Sequence, residues 1–363
     1  EVASLIERVS VPETISDADL TAVASRELDS AMGRLSPTAG AMLSFVWYDF
    51  AGEGEAEPRN GILQIVAPHF VVDGVSWRIL LPDFAVAWAQ FSAGQDFSFE
   101  PVGTSMRRWA RALTDEARSD SRTGEVGRWL DILSEPEPAI GSRAFDPMVD
   151  VASTVESVDI EMSAHVTDSM LTAVPTLFRG GVNDGLLAAL ALALSTWRAE
   201  KGNPSSRSLV RLEGHGREES VVSGADLSRT VGWFTTAFPV ALDVTGIDVA
   251  DAMGGGSAAG RAIKAVKEQL LAIPDKGIGY GLLRYLNPET AETLAAAPAA
   301  PQIGFNYLGR VDAGSSGTDG ETYGWLPTGA LGDAHAHQGE DMPANATIDI
   351  NTIVSDAVDG ARL

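Results

Sequence analysis

The sequence predicts a mixed fold, α/β or α+β, built from two lobes. Segments with strand-type composition alternate with segments of helical periodicity along most of the 363 residues. A chain of this length has enough material for two ordinary domains. A proline-rich polar stretch at 134–147 has the composition of a linker. We therefore expect a first lobe over residues 1–150 and a second lobe over residues 151–363.

Composition narrows the class of partner. Hydrophobic residues make up 45% of the chain and charged residues 21%, which is typical of a soluble globular protein. The net charge of −24 disfavours nucleic acid and anionic membrane surfaces, because binding to both depends on Lys and Arg. The most apolar segment, at 185–197, is too short to span a membrane. Cysteine is absent, which excludes disulfides and thiolate chemistry and agrees with a cytoplasmic location.

Local patterns define the elements of the first lobe. Ser16 and Asp19 resemble a capping box in front of apolar residues at helical spacing. Pro82 lies inside another helical pattern, which it should kink or split. The predicted elements are a helix at 17–34, a hairpin of strands at 41–50 and 61–67, a helix after Gly74, and helices at 104–118 and 124–133.

In the second lobe, the alternation of Val158, Ile160 and Met162 predicts a half-buried strand. Asn183 could cap the apolar helix that follows it. The remaining predicted elements are helices at 184–199 and 258–272 and strands at 208–216, 302–307 and 347–354.

Three other features favour structural interpretations. The glycine-rich stretch at 254–259 lacks the ending of a phosphate-binding loop and is interpreted as a flexible linker. His335 and His337 lie in a polar loop without a convincing third ligand, so a metal site is not expected there. Trp233 and Phe234 are predicted to be core residues.

Two histidine-bearing turns are the candidates for chemistry. His69 ends an apolar strand shortly before Asp73 and Gly74, and could be a base, a metal ligand or a core residue. His215 ends a second predicted strand between two glycines, next to acidic Glu213. An acidic group and an imidazole at two strand ends are the components of a general acid–base pair. For Arg217 and Glu218, also in that turn, we favour an ion pair that holds the loop.

Five segments in order carry a family resemblance. "HFVVDGVSWRILL" (69–81) resembles the histidine motif shared by condensation and epimerization domains of nonribosomal peptide synthetases. Four further segments resemble the motifs that separate epimerization domains from condensation domains. They are "LEGHGREE" (212–219), "RTVGWFT" (229–235), "PDKGIGYGLLRY" (274–285) and "FNYLGR" (305–310).

The resemblance implies two chloramphenicol-acetyltransferase-like α/β lobes forming a V, with a tunnel between them. The tunnel of such domains admits the 4'-phosphopantetheine arm of a peptidyl carrier (thiolation) domain, loaded with an aminoacyl or peptidyl thioester. The implied activity is that of an isomerase, which inverts the α-carbon from L to D without a metal or cofactor of its own. Neighbouring adenylation and condensation domains are the other implied partners, in the cytoplasm.

The resemblance also implies roles for individual residues. A thioester acidifies the α-proton, and inversion needs proton-transfer groups on opposite faces of that carbon. His69 matches the active histidine and Glu213 the acid–base glutamate, either of which could be the base. The supporting positions are Tyr307 as an active-site tyrosine, Asp73 as a residue that holds the loop through an arginine, Gly74 at the turn, and His215 and Arg217 as structural residues.

The chain also departs from the family pattern. Pro68 stands where the family usually has a first histidine, and Pro82 interrupts a helix that the family keeps continuous. We further expect that the chain lacks the opening and closing segments of the family. Two alternatives follow: a condensation domain that forms the peptide bond, or a catalytically inactive module that docks a carrier.

Overall fold

The computed structural model describes residues 2–51, 60–311, 329–332, 336, 338–357 and 360–363. Two compact units are present. The first contains the described residues of Glu1–Val102, Ser228–Trp233 and Gly314–Gly339. The second contains those of Gly103–Leu227, Phe234–Ala313 and Glu340–Leu363.

The first unit contains a three-stranded sheet and two longer helices. Its elements are β1 (Ile6–Pro12), α1 (Asp17–Gly33), β2 (Ser44–Ala51), β3 (Ile62–Val66) and α2 (Gly74–Ser92). β2 is central, parallel to β1 and antiparallel to β3, so the predicted hairpin is confirmed.

One face of α1 forms the core of this unit with the sheet. Leu20, Ala24, Leu28 and Ala31 are buried at helical spacing against strand residues such as Tyr48. Ser16 caps the helix, because its side-chain oxygen accepts a hydrogen bond from the Asp19 amide. The predicted helix at 17–34 and its cap are therefore confirmed.

Helix α2 continues through Pro82 as one element. Of the two predicted outcomes, a kink or a split, the split is therefore not observed. A proline removes one intrahelical hydrogen bond, and the rest of the helix can persist around it.

The second unit has a five-stranded sheet in the order β5-β4-β6-β7-β8. The β4–β6 and β6–β7 pairs are parallel, and the β4–β5 and β7–β8 pairs are antiparallel. Its strands are β4 (Arg207–Gly214), β5 (Thr236–Asp243), β6 (Ile303–Val311), β7 (Ile348–Ala357) and β8 (Gly360–Arg362). Its helices are α3 (Met106–Glu116), α4 (Asp120–Thr123), α5 (Val126–Ile132), α6 (Ala164–Asp168), α7 (Val174–Phe178), α8 (Val182–Glu200), α9 (Val249–Met253), α10 (Ser257–Leu271), α11 (Ile278–Gly281) and α12 (Pro288–Ala295).

Helices α8 and α10 cover this sheet and form its core. Leu187 and Ala191 of α8 and Val266 of α10 are buried with strand residues that include Leu212 and Val240. The strands predicted at 208–216, 302–307 and 347–354, and the helix at 258–272, are confirmed within a few residues.

Three local predictions for this unit are wrong. Val158 and Ile160 are 84% and 80% exposed and belong to no strand. Helix α8 begins before Asn183, and the Asp184 carboxylate accepts a hydrogen bond from the Gly181 amide at its start. The stretch at 254–259 is a hydrogen-bonded junction, in which the Asp251 carboxylate accepts from the Ala258 amide.

The contacts of residues 103–150 lie in the second unit. Trp109 is buried with Leu227 and Phe234, and Trp129 joins the core that includes α8. Within the predicted linker, the Glu137 side chain is 6% exposed and pairs with Arg198 at 2.9 Å. The division into compact units thus falls after Val102 and differs from the predicted boundary near residue 150.

Across the described residues, no single helix has the length and apolar character to cross a membrane. The segments Ala164–Phe178 and Val182–Glu200 meet that criterion only when combined, and they are bent by 102° at the break between them.

Candidate functional site

His69 lies directly after the first unit's hairpin. Pro68 precedes it, and His69–Val71 form a single turn of 3-10 helix that leads towards α2. The histidine side chain is exposed, which excludes the core interpretation. Within the described part of the chain, the imidazole makes no hydrogen bond, and its ring contact is with Trp233 at 4.9 Å between centroids. The imidazole is therefore open to solvent on a turn at the surface of its unit.

Asp73 fixes the backbone that follows this turn. It is buried, and its Oδ1 accepts hydrogen bonds from the Ser76 amide and the Ser76 hydroxyl, both at 2.7 Å. This is the N-cap of α2, and the predicted role of Asp73 in holding the loop through an arginine stays a prediction. Gly74 has no left-handed backbone, and a Cβ there would meet no atom within 4 Å. The predicted need for a glycine at this turn is therefore not observed.

Trp233 was not expected in the site. The sequence predicts a core residue, yet the side chain is 48% exposed and lies beside His69. Phe234 is buried in the second unit's core, as predicted. The "RTVGWFT" resemblance was the only sequence signal for Trp233, because the tryptophan is far from His69 along the chain.

Glu213 is the penultimate residue of β4 and is partly buried. Its Oε2 accepts a hydrogen bond from the Asn306 side-chain amide at 3.1 Å. Asn306 lies on β6, the parallel neighbour of β4. The sheet therefore orients the carboxylate through both backbone pairing and a side-chain donor.

Tyr307 follows Asn306 on β6 but lies on the other face. Successive strand residues point to opposite faces, and Tyr307 packs against the core that contains Phe305 and Leu212. Burial raises the pKa of the Tyr307 phenol above its ordinary value, with Arg310 opposing the shift. The hydroxyl consequently keeps its proton at neutral pH. Glu213 and Asn306 share one face of the sheet, and Tyr307 belongs to the opposite one.

The loop after β4 is held by its own side chains. The Nδ1 of His215 accepts a hydrogen bond from the Arg217 amide at 3.1 Å, and its Nε2 lies 3.5 Å from a Glu218 oxygen. The Arg217 guanidinium lies over the Phe234 ring at 4.1 Å and donates to the Leu227 carbonyl. These contacts agree with structural roles for His215 and Arg217.

Glu218 and Gly216 complete this loop. The carboxylate of Glu218 pairs with Lys276 at 3.2 Å. An ion pair therefore holds the loop, but the partner of Glu218 is Lys276 and not the predicted Arg217. Gly216 has a left-handed φ of 68°, and a Cβ there would overlap the carbonyl oxygen of Phe234. The sharp turn predicted from the two glycines is therefore confirmed at Gly216.

Among the residues that the structure describes, no group of three or more His, Cys, Asp or Glu side chains could hold a metal ion. His335 and His337 lie outside the described residues.

Comparison with known proteins identifies the family. The family model for the condensation domain matches residues 56–325, and the chain belongs to this family. The chain is 39% identical to a chondramide synthase of Chondromyces crocatus, over 82% of this chain and 7% of that protein. It is 38% identical to surfactin synthase subunit 2 of Bacillus subtilis (strain 168), over 69% of this chain and 6% of that protein. The chain thus spans a small part of these relatives.

Solved structures show the same fold. The epimerization domain from the third module of tyrocidine synthetase B is 26% identical, with a TM-score of 0.76, over 98% of this chain and 73% of that one. The first condensation domain of the CDA synthetase is 15% identical, with a TM-score of 0.56, over 99% of this chain and 68% of that one. The predicted chloramphenicol-acetyltransferase-like α/β class is therefore confirmed, as is the resemblance to the condensation superfamily.

Proposed function

We propose that this chain epimerizes the α-carbon, from L to D, of an aminoacyl or peptidyl thioester on the phosphopantetheine arm of a carrier domain. The observation that carries the proposal is the Glu213 carboxylate, presented at the end of β4 and oriented by Asn306. It lies in the segment that resembles an epimerization motif. Likeness to a solved epimerization domain, at 26% identity over 98% of this chain, supports the same activity.

The chemistry needs two proton carriers. Removal of the α-proton gives an enolate of the thioester, and a second group must return a proton to the opposite face. We assign these roles to Glu213 and His69. Asn306 orients the carboxylate without adding a formal charge, and the exposed imidazole of His69 can accept or donate a proton.

The supporting residues act through geometry. Asp73 caps α2 and so fixes the turn that carries His69. The protonated hydroxyl of Tyr307 can donate a hydrogen bond at neutral pH, and its packed ring holds β6, which carries Asn306. His215 and Arg217 maintain the loop that follows Glu213.

The partners follow from the substrate. A thioester on a phosphopantetheine arm requires a carrier domain, and the relatives are synthases many times longer than this chain. We propose that adenylation and condensation domains are its neighbours and that it works in the cytoplasm. The net charge of −24 disfavours nucleic acid and anionic membranes as partners.

Hydrogen exchange at the α-carbon tests this function. A carrier-bound L-aminoacyl thioester is incubated with the chain in deuterated water, and the released amino acid is analysed by mass and by configuration. We expect deuterium at the α-carbon and accumulation of the D isomer.

The same assay separates the alternatives. A condensation domain would leave the α-proton in place and join the aminoacyl group to a second carrier-bound amine. A docking module would bind the carrier without exchange. Either result from a folded chain that binds its carrier would overturn the proposed function.

A further inference from the structure

The exposed indole of Trp233 has no role in the chemistry proposed above. Its ring lies beside that of His69, with centroids 4.9 Å apart and planes tilted by 45°. This separation is within the range of favourable aromatic pairs. A tryptophan that is 48% exposed contributes little to a core, so its position calls for another explanation.

His69 has few other constraints on its ring. Its side chain is exposed, and in the described part of the chain the ring makes no hydrogen bond. An exposed side chain at a turn exchanges among rotamers unless a neighbour restricts it. Proton transfer requires the base to lie within hydrogen-bond reach of its proton in a defined orientation. Trp233 is the ring neighbour that can supply this restriction.

The backbone next to Trp233 is attached to the start of α2. Ser76 is fully buried, and its hydroxyl oxygen accepts a hydrogen bond from the Gly232 amide at 3.1 Å. The same oxygen lies 3.0 Å from the Gly232 carbonyl oxygen and 2.7 Å from Asp73 Oδ1. The hydroxyl has one proton, which it can donate to either of these two oxygens. The cap that begins α2 therefore also fixes the residue before Trp233.

A second attachment lies further along α2. The Arg229 guanidinium donates to both carboxylate oxygens of Asp83, at 2.7 and 2.8 Å. Asp83 belongs to α2, so the segment that carries Trp233 is tied to this helix at Ser76 and at Asp83. Both bonds come from the Nη2 nitrogen of Arg229, so the pair is a charge-assisted contact that holds this segment against α2. This arrangement holds the indole where it meets His69.

We propose that Trp233 is a positioning residue that orients the imidazole of His69 for proton transfer, and that the hydrogen bond from the Gly232 amide to the Ser76 hydroxyl holds Trp233 in place. The inference rests on the proposed function. Trp233 exchanges no proton itself, because an indole N–H is a donor with no acceptor capacity.

The test uses Trp233→Leu and Trp233→Phe in the whole chain. The matched control is Trp88→Leu, since Trp88 is also an exposed tryptophan of the first unit, at 53%. The first readout is kcat and KM for inversion of a carrier-bound L-aminoacyl thioester. The second is the NMR signal of the His69 ring protons, assigned with His69→Gln, which the indole ring current shifts.

We expect Trp233→Leu to lower kcat by about tenfold or more with little change in KM, since misplacement of a catalytic group acts on the chemical step. The His69 signal should move towards that of a solvent-exposed histidine. Trp233→Phe should keep most of kcat, and Trp88→Leu should change neither readout.

An unchanged kcat and an unchanged His69 signal in Trp233→Leu would overturn the inference. A fall in kcat accompanied by unfolding, or an equal fall in Trp88→Leu, would also count against it. A wild-type chain that inverts no substrate would overturn the proposed function alone. The NMR signal would then still decide whether Trp233 orients His69.

Discussion

The two units hold their candidate proton carriers in different ways. His69 is exposed on a short turn, and its ring is restricted by contact with Trp233. Glu213 lies on a strand that is paired on both sides, and Asn306 of the adjacent strand donates to its carboxylate. The orientation of His69 therefore depends on one side-chain contact, whereas that of Glu213 depends on the register of a sheet.

The cores explain this difference. β4 has buried residues at Leu209, Val210 and Leu212, which anchor the strand up to the position before Glu213. The turn at His69–Val71 contains no buried residue, and the next fixed point is the capping pair of Asp73 and Ser76. The orientation of the Glu213 side chain should consequently change little when nearby surface residues are substituted. It should change strongly when the backbone of the loop after β4 is altered.

The largest effect should come from Gly216→Ala. A left-handed φ costs a residue with a Cβ about 1–2 kcal/mol, and the new Cβ would also overlap the Phe234 carbonyl oxygen. We expect a loss of roughly 3 kcal/mol or more in the free energy of unfolding, together with loss of inversion. Denaturant titration and the exchange assay measure both.

Gly224→Ala is the matched control for this change. Gly224 has a similar φ of 72°, but a Cβ there would meet no atom within 4 Å. It should therefore show only the conformational cost of about 1–2 kcal/mol. Equal losses for the two variants would mean that the Phe234 carbonyl yields, and that the loop after Glu213 is not rigid.

A smaller effect is expected from Asn306→Leu. The change keeps the strand but removes the amide that donates to Glu213, and a hydrogen bond to a charged group contributes about 1.5–3 kcal/mol. We expect kcat to fall by about tenfold, with little change in thermal unfolding. Asn345→Leu removes a similar amide–carboxylate bond, to Asp349 on the surface, and serves as the control. A wild-type kcat in Asn306→Leu would show that the bond from Asn306 is not needed to orient Glu213.

Local signals in the sequence were sufficient to predict much of the fold. The cap at Ser16, the spacing of Leu20, Ala24 and Leu28, and the two strand-like runs of the hairpin each depend on neighbouring residues. The burial predicted for Val158 and Ile160 is wrong, because alternation along a segment does not reveal whether any other element covers it. Composition also does not reveal the contacts of the polar stretch at 134–147, where the Glu137 side chain is 6% exposed and pairs with Arg198.

In the candidate site, too, contacts between residues far apart in the sequence could not be predicted. The family motifs predict His69 and Glu213 as the acid–base residues, and this assignment is a proposal. The contact that orients His69 depends on the hydrogen bond between the Gly232 amide and the Ser76 hydroxyl, and these two residues are 156 positions apart in the sequence. The separation of Tyr307 from Glu213 depends on which strand faces meet the core. Neither arrangement has a signature in the local sequence.

The central claim is that His69 and Glu213 transfer protons on opposite faces of the α-carbon. The measurement compares His69→Gln and Glu213→Gln with the wild-type chain, and exposed His165→Gln serves as the control. Carrier-bound L- and D-aminoacyl thioesters are supplied separately in deuterated water. Deuterium at the α-carbon and its configuration are followed over time for each isomer.

We expect the wild-type chain and the control to exchange and invert both isomers. Each of the two variants should lose inversion by on the order of a hundredfold or more, the scale of a positioned acid or base. One variant should still exchange the α-proton of the L isomer and the other that of the D isomer, because each retains the base for one face. Inversion at the wild-type rate in either variant would contradict the assignment.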